Sequence, residues 1–151
     1  MSKRSENILK IKKLREDAQM PKYASEEAAG MDLFAATDED VTIKKHRTAF
    51  IGTGLAMAIP KGYMGLIFAR SGLACKEDLA PANKVGVIDS DYRGEVKVAL
   101  HNHGREMRTV TNGERIAQMC IIPCPRYEIV EVDDLDKTER GEGGFGSTGK
   151  E

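Results

Sequence analysis

TAFIGTGLAMAIPKGYMGLIF, residues Thr48 to Phe68, contains two apolar segments of strand length. The first runs from Thr48 to Ile59 and the second from Tyr63 to Phe68, and Pro60-Lys61-Gly62 lies between them. Proline and glycine mark turns because proline fixes φ and glycine accepts conformations that other residues avoid. The stretch therefore predicts two β-strands joined by a short connection.

Outside this stretch, apolar residues cluster or alternate over strand lengths in four further segments. These are Ile8–Leu14, Glu95–His101, Arg115–Ile122 and Tyr127–Val132. Only Ser71 to Leu79 has helical character, and it is too short for more than about two turns. Helices therefore cannot cover both faces of a parallel sheet. The sequence predicts an all-β, antiparallel jelly roll or β-sandwich with one short helix.

Chain length and a change in composition predict the domain organisation. A chain of 151 residues is close to the size of one domain and can bury one core. Residues 139–151, ERGEGGFGSTGKE, contain five glycines and one apolar side chain, Phe145, so they cannot bury enough surface to offset the entropy of ordering. We predict a β domain over residues 1–138 and a flexible, glycine-rich C-terminal arm over residues 139–151.

The arm has two interpretations. An aromatic ring between glycines, flanked by polar side chains, suits a segment that orders over a ligand, with amides for phosphate and a ring for a base. The flanking side chains are Arg140, Ser147 and Thr148. A disordered tail is the alternative, and it is the commoner meaning of such composition.

Charge and cysteine content restrict the partners and the compartment. Lys+Arg 23 and Asp+Glu 24 give a net charge of −1, so no overall field favours nucleic acid or membrane, and an anion site must be local. Three cysteines, an odd number, predict a reducing compartment, the cytoplasm. Residues 1–20 lack the apolar run of a signal peptide, and no segment reaches the ~20 apolar residues of a membrane span.

The strongest chemical content lies in residues 85–98, VGVIDSDYRGEVKV. Charged and aromatic residues are concentrated there between two apolar segments, with Gly86 and Gly94 at the ends, and we interpret the pattern as a hairpin that presents a pocket. Asp89 follows apolar Val87 and Ile88, and a partly desolvated carboxylate can serve as a general base. An ordinary polar turn is the alternative.

A second candidate lies at the start of the predicted helix, in ARSGLA, residues 69–74. Arg70 and Ser71 place a guanidinium and a hydroxyl beside Gly72, where the unpaired amides of a helix start favour anions. For a single arginine, a structural ion pair is the more frequent alternative.

With these residues in view, the sequence resembles the trimeric deoxyuridine triphosphatase (dUTPase) family over about residues 21–150. All five motifs of that family occur in order. They are AGMDL (residues 29–33), RSGLA (70–74), GVIDSDYRG (86–94), GERIAQ (113–118) and RGEGGFGSTG (140–149).

The resemblance implies hydrolysis of dUTP to dUMP and pyrophosphate, which lowers dUTP and supplies dUMP for thymidylate synthesis. Asp89 would activate the water that attacks the α-phosphorus. The implied substrate-binding residues of the phosphate region and the arm are Arg70, Ser71, Gly72, Gln118, Arg140, Gly146, Ser147 and Thr148.

For the nucleoside, the resemblance implies that uracil meets backbone groups between Asn83 and Lys97, a stretch that includes Gly86, Val87 and Ile88. Tyr92 would pack against the sugar and leave no room for a 2′-hydroxyl, and Phe145 would stack on the base. The sequence departs from the family pattern at Pro81, two residues before Asn83, where apolar strand residues are usual.

The implied cofactor is Mg²⁺, held by phosphate oxygens and water, with Asp32 near its water shell. The implied assembly is a homotrimer in which Arg70 and Gln118 come from one subunit, Asp89 from a second and the arm from a third. Neither His101-x-His103 nor Cys120-x3-Cys124 completes a zinc site. We expect the cysteines in the core and the histidines on the surface.

Two other functions are compatible with the sequence. A deoxycytidine triphosphate deaminase shares the fold by resemblance, but it would need a base suited to attack at a ring carbon. A non-catalytic module that binds dUTP and signals to a protein is the second, and intact Asp89, Arg140 and Phe145 favour catalysis over it.

Overall fold

The computed structural model describes residues 7–146. It contains eleven strands and one helix, α1 (Ser71–Lys76). The strands are β1 (Lys10–Lys13), β2 (Lys22–Tyr23), β3 (Met31–Phe34), β4 (Val41–Ile43), β5 (Thr48–Ala58), β6 (Tyr63–Phe68), β7 (Leu79–Pro81), β8 (Gly86–Ile88), β9 (Glu95–Asn102), β10 (Arg108–Val110) and β11 (Arg115–Pro123). No helix within residues 7–146 is long and apolar enough to cross a membrane.

The strands form two main antiparallel sheets. One has the order β1-β5-β9-β7 and the other β2-β3-β11-β6-β8, while β10 and β4 form a separate pair. Neighbours in these sheets are mostly distant in sequence, as in β3 beside β11 and β5 beside β9. The predicted all-β, antiparallel jelly roll with one short helix is confirmed.

The core contains the inward-facing residues of both sheets. In β9 the alternation is regular: Val96, Val98 and Leu100 are at most 2% exposed, and Lys97 between them is exposed. In the second sheet, Met119 of β11 is fully buried. Each such side chain stabilises the fold by about 1.5–3 kcal/mol relative to exposure.

Two of the predicted elements differ from the structure. The strand predicted over Tyr127–Val132 is wrong: residues 124–146 form no helix or strand, and Ile129 is 97% exposed. Its apolar alternation has no neighbouring strand in this chain on which to form a ladder. The helix predicted to reach Leu79 ends at Lys76, because Leu79 begins β7 and pairs with Asn102 of β9.

Residues 138–146 of the predicted arm fold into tight turns. The amide of Gly141 donates to the Thr138 carbonyl at 3.2 Å, and Arg140 donates from Nε to the Gly143 carbonyl at 2.7 Å. The Phe145 side chain is fully exposed, and its φ of 51° lies in the left-handed region. Ser147 and Thr148 lie outside the described residues, and the boundary at residue 138 remains a prediction.

Candidate active site

The acidic segment between β8 and β9 does not form a hairpin. β8 pairs with β6 of the five-stranded sheet, and β9 pairs with β5 and β7 of the other sheet. The predicted hairpin is therefore wrong, because each of the two strands finds a more distant partner. Residues 89–94, here called the 89–94 connection, cross from one sheet to the other.

A cavity of about 330 Å³ opens beside this connection, which we call the β8–β9 cavity. Its size is at the lower end of that of small-molecule sites. It brings together seven of the predicted site residues: Asn83, Gly86, Val87, Ile88, Asp89, Tyr92 and Lys97. The wall also includes residues that the sequence analysis did not single out: Phe50, Ile67, Glu95 and Val96.

Hydrogen bonds fix the shape of the 89–94 connection. The Tyr92 amide donates to the Asp89 carbonyl at 3.2 Å, and Arg93 donates from its guanidinium to the Ser90 carbonyl at 2.7 Å. The Tyr92 hydroxyl donates to the Glu95 carbonyl at 2.9 Å. These contacts hold the tyrosine ring back along its own chain and leave the Asp89 carboxylate beside the cavity.

The surroundings of Asp89 are more open than the sequence predicts. Asp89 is exposed, and the Val87 side chain is 59% exposed, whereas Ile88 is buried. Side chains in a strand alternate between the two faces, so only one of the two apolar neighbours can face the core. The single chain alone therefore provides little desolvation of this carboxylate.

Gly94 allows the Tyr92 ring to lie against the backbone. A Cβ atom at residue 94 would be 2.6 Å from Tyr92 Cζ, closer than such atoms can approach. We expect Gly94→Ala to displace Tyr92 and to weaken binding of the imido analogue dUpNHpp about tenfold. Titration calorimetry measures this change.

The matched control is Gly104→Ala, which crowds Asp78 Cγ at 2.9 Å at a position that does not line the cavity. It should lower the melting temperature and leave dUpNHpp affinity unchanged. Equal affinities for Gly94→Ala and wild type would mean that the position of Tyr92 does not matter for binding.

The entry to Asn83 is regular despite Pro81. Pro81 ends β7, an edge strand, where a missing N–H removes no ladder bond. The Ala82 amide donates to the Ala99 carbonyl at 2.7 Å, and the Val85 amide donates to the Asn83 carbonyl across Lys84, whose φ is 65°. A tight turn thus carries the chain from the edge strand into the cavity wall.

A second cluster surrounds Asp32 of β3. Its carboxylate, 11% exposed, accepts from Arg70 Nε at 3.1 Å and from an Arg115 terminal nitrogen at 3.5 Å. Arg70 therefore makes the ion pair that the sequence analysis left as an alternative. Because both oxygens of Asp32 already face guanidinium groups, its charge is compensated by the protein itself.

Gln118 connects this cluster to helix α1. Its amide nitrogen donates to the Ala69 carbonyl at 2.9 Å, immediately before Arg70. Its side chain also covers Gly30, where a Cβ would be 2.7 Å from Gln118 Oε1. Gln118 thus fixes the backbone that presents Arg70, Ser71 and Gly72, the last two of which are exposed.

The predicted site residues therefore lie in three separate parts of the described chain. Asn83 to Lys97 line the β8–β9 cavity, while Arg70 and Gln118 belong to the cluster around Asp32. Arg140 and Phe145 lie in the exposed tail. One copy of the chain does not bring these parts into one site.

Glu95 is a cavity residue that the sequence analysis did not identify. Its Oε1 accepts from the Gly54 amide at 2.9 Å, and its Oε2 lies 3.7 Å from Lys97 Nζ. A Cβ at Gly52 would be 2.5 Å from Glu95 Oε1, so the glycine makes room for the carboxylate. The spacing of Gly52 and Gly54 within an apolar strand is the one signal that could have indicated this bulge.

The cysteines and histidines are arranged differently from a zinc site. The prediction that the cysteines are in the core is wrong, since Cys75 is exposed and Cys120 and Cys124 are only partly buried. The His101 and His103 rings lie 4.5 Å apart on the far part of β9. Within residues 7–146, no group of three or more His, Cys, Asp or Glu could hold a metal ion.

Comparison with known families and proteins adds independent information. Residues 16–149 match the family model described as dUTPase. A relative named deoxyuridine 5'-triphosphate nucleotidohydrolase from Nautilia profundicola is 54% identical over 142 residues, covering 94% of this chain and 99% of the relative. One with the same name from Desulfitobacterium hafniense is 51% identical over 144 residues, covering 93% and 95%.

Solved structures share the fold along most of the chain. The Staphylococcus bacteriophage 80alpha dUTPase, in a structure with dUpNHpp, is 31% identical with a TM-score of 0.84, covering 95% of this chain and 99% of that one. The dUTPase of phage phi11 of S. aureus is 26% identical with a TM-score of 0.79, covering 87% and 100%, and its structure describes a structural Mg(II) ion.

The fold and these relatives define the class as a hydrolase built on a jelly-roll subunit. The match of the family model to most of the chain, together with the identity of the relatives, decides the family. The chain belongs to the dUTPase family. The predicted family and the prediction that the protein is an enzyme are thereby confirmed.

Proposed function

We propose that the protein hydrolyses dUTP to dUMP and pyrophosphate. The observation that carries the proposal is the β8–β9 cavity, which places Asn83, Tyr92 and Lys97 around one space with Asp89 at its edge. The names of the relatives and the dUpNHpp in a structural neighbour support the choice of nucleotide. Hydrolysis would lower dUTP and provide dUMP for thymidylate synthesis.

In this proposal Asp89 is the general base. Its carboxylate accepts a proton from a water molecule, which attacks the α-phosphorus and expels pyrophosphate. A base in this role contributes roughly 10²–10⁴-fold to the rate. Since Asp89 is exposed in the single chain, closure of the site over the substrate is needed to exclude bulk water.

The phosphate chain is assigned to the cluster around Asp32 and to the tail. Phosphoryl transfer depends mainly on positioning and on neutralising charge. Arg70 supplies a guanidinium fixed by Asp32, and Ser71 and Gly72 follow it on exposed backbone. Gln118 positions this backbone through Ala69. The tail residues assigned to the closed site are Arg140, Phe145, Gly146, Ser147 and Thr148.

Base and sugar selection are assigned to the β8–β9 cavity. Backbone groups between Asn83 and Lys97 would pair with the uracil edge, and cytosine would set a donor against a donor at about 1–3 kcal/mol for each unpaired group. Tyr92, held by its hydrogen bond to the Glu95 carbonyl, would pack against the deoxyribose and exclude a 2′-hydroxyl.

Magnesium is proposed as the cofactor, bound by the substrate's phosphate oxygens and by water. Mg²⁺ keeps several waters and needs few protein ligands, and the ion would neutralise charge on the phosphate chain. The two arginines on Asp32 make this carboxylate a holder of guanidinium groups first. A contact of Asp32 with the water shell of the ion remains a prediction.

The separation of the site into three parts supports a homotrimer with shared sites. A cavity, an arginine cluster and an exposed tail that do not meet in one chain can meet between copies, and a closed three-fold ring offers each copy equivalent neighbours. The free thiols of the three cysteines agree with the predicted reducing, cytoplasmic compartment.

A pyrophosphate-release assay on dUTP, dTTP, dCTP and UTP tests the proposal. We expect dUTP to be hydrolysed with kcat/KM at least about 100-fold above each of the others, since each wrong nucleotide clashes or leaves polar groups unpaired. Ammonia release from dCTP would identify a deaminase instead. Binding of dUTP without hydrolysis would favour the sensing module, and equal hydrolysis of all four would contradict the selectivity.

A further inference from the structure

A β-bulge turns Arg115 toward the cluster around Asp32. Arg115 is opposite Phe34 and Ala117 is opposite Leu33, so β11 advances two residues while β3 advances one. In a regular strand, residues 115 and 118 would face opposite sides of the sheet because they are three positions apart. The bulge removes this difference, and Arg115 faces the side of Asp32 and Gln118.

Bulges of this kind commonly re-aim a side chain next to an active site. Here the neighbouring residues remain in the core, since Ile116 and Ala117 are both fully buried. The irregularity therefore changes the direction of one guanidinium without weakening the packing of the strand. It brings two arginines, Arg70 and Arg115, to the two oxygens of one carboxylate.

The cluster carries an excess positive charge. Two guanidinium groups, which stay protonated at all ordinary pH values, share the single negative charge of Asp32. The Arg115 side chain is 51% exposed, and within residues 7–146 its one side-chain hydrogen bond is the 3.5 Å contact with Asp32. Most of its five donors are therefore directed at solvent beside Arg70.

We propose that Arg115 binds the phosphate chain of the nucleotide together with Arg70, with Asp32 as the positioning residue between them. The inference rests on the proposed function and adds a residue to the phosphate-binding set. Paired guanidinium groups suit an extended polyphosphate because each can contact two oxygens at once.

The test compares ligands with and without phosphates. Calorimetry is done on the full-length protein with dUpNHpp, inorganic tripolyphosphate and deoxyuridine, for wild type, Arg115→Gln and Arg115→Lys. We expect Arg115→Gln to weaken dUpNHpp and tripolyphosphate at least about tenfold and to leave deoxyuridine within about twofold. Arg115→Lys, which keeps the charge, should recover part of the loss.

Arg105→Gln is the control, because Arg105 is exposed and lies in a turn outside the cluster. Unchanged tripolyphosphate affinity in Arg115→Gln would overturn the proposal. Equal weakening of deoxyuridine and dUpNHpp would also overturn it, since that pattern indicates a purely structural role. If Arg115→Gln does not fold, Arg115→Lys with unchanged affinities for all three ligands supports the charge, and a uniform loss opposes it.

The proposed function can fail separately. Absence of pyrophosphate release from dUTP by the wild-type protein would overturn hydrolysis. The tripolyphosphate comparison between wild type and Arg115→Gln would still report whether Arg115 binds polyphosphate.

Discussion

Asp89→Asn lowers kcat for dUTP hydrolysis by at least about 100-fold and leaves the dissociation constant for dUpNHpp within about tenfold of wild type. Asparagine keeps the size of the side chain and one of its oxygen acceptors, but it cannot take a proton from water. Because Asp89 is exposed and only its carbonyl is bonded, to the Tyr92 amide, the change should not disturb the 89–94 connection.

Asp91→Asn is the matched control for this substitution. Asp91 lies in the same connection and is also exposed, but it does not line the β8–β9 cavity. Its rate should stay within about threefold of wild type. If Asp89→Asn turns over dUTP at a rate similar to that of Asp91→Asn, Asp89 is not the base.

The long strands could be predicted from sequence because their signals are local. β5 and β6 show apolar segments separated by proline and glycine, and the predicted bounds of Tyr63–Phe68 agree with the structure. Strands of two to four residues such as β3 and β7 give too short a pattern, and they form because a longer strand provides a ladder. Tyr127–Val132 is the reverse case, a pattern with no ladder in the chain.

The candidate site was predictable as a set of residues but not as an arrangement. Motif spelling identified seven residues of the β8–β9 cavity, including Asp89 and Tyr92. It could not identify Glu95 or Arg115, whose positions depend on bulges in the registers of β5 with β9 and of β11 with β3. A bulge depends on the partner strand, so it has little signature in one strand alone.

Truncation after Lys137 should abolish most dUTP hydrolysis and leave the β domain folded. Residues 138–146 are mainly exposed and contribute nothing to the buried apolar cluster, so the melting temperature should change by no more than about 2 °C. Loss of the arm removes Arg140 and Phe145 and leaves the site open to water. A pyrophosphate-release assay and a thermal melt on the same sample measure both effects.

A truncate with full activity would return the tail to its simpler interpretation as a disordered end. An inactive truncate that has also lost its cooperative melt would contradict the proposed division between domain and arm.

Mixed trimers decide whether the arm acts on its own subunit. The truncate has an intact Asp89, and the Asp89→Asn protein has an intact arm, so each alone should be nearly inactive. If base and arm come from different subunits, equal mixing restores about a quarter of the sites, since each needs its Asp89 from a truncate and its arm from the other variant.

If base and arm belong to one chain, no mixed trimer contains a complete site. The separation of the β8–β9 cavity from the exposed Phe145 in the described chain favours recovery. An inactive mixture whose subunit exchange is confirmed by native mass spectrometry would contradict sharing between subunits. It would leave dUTP hydrolysis and the role of Asp89 untouched, because those rest on the single-chain cavity and on the Asp89→Asn rate.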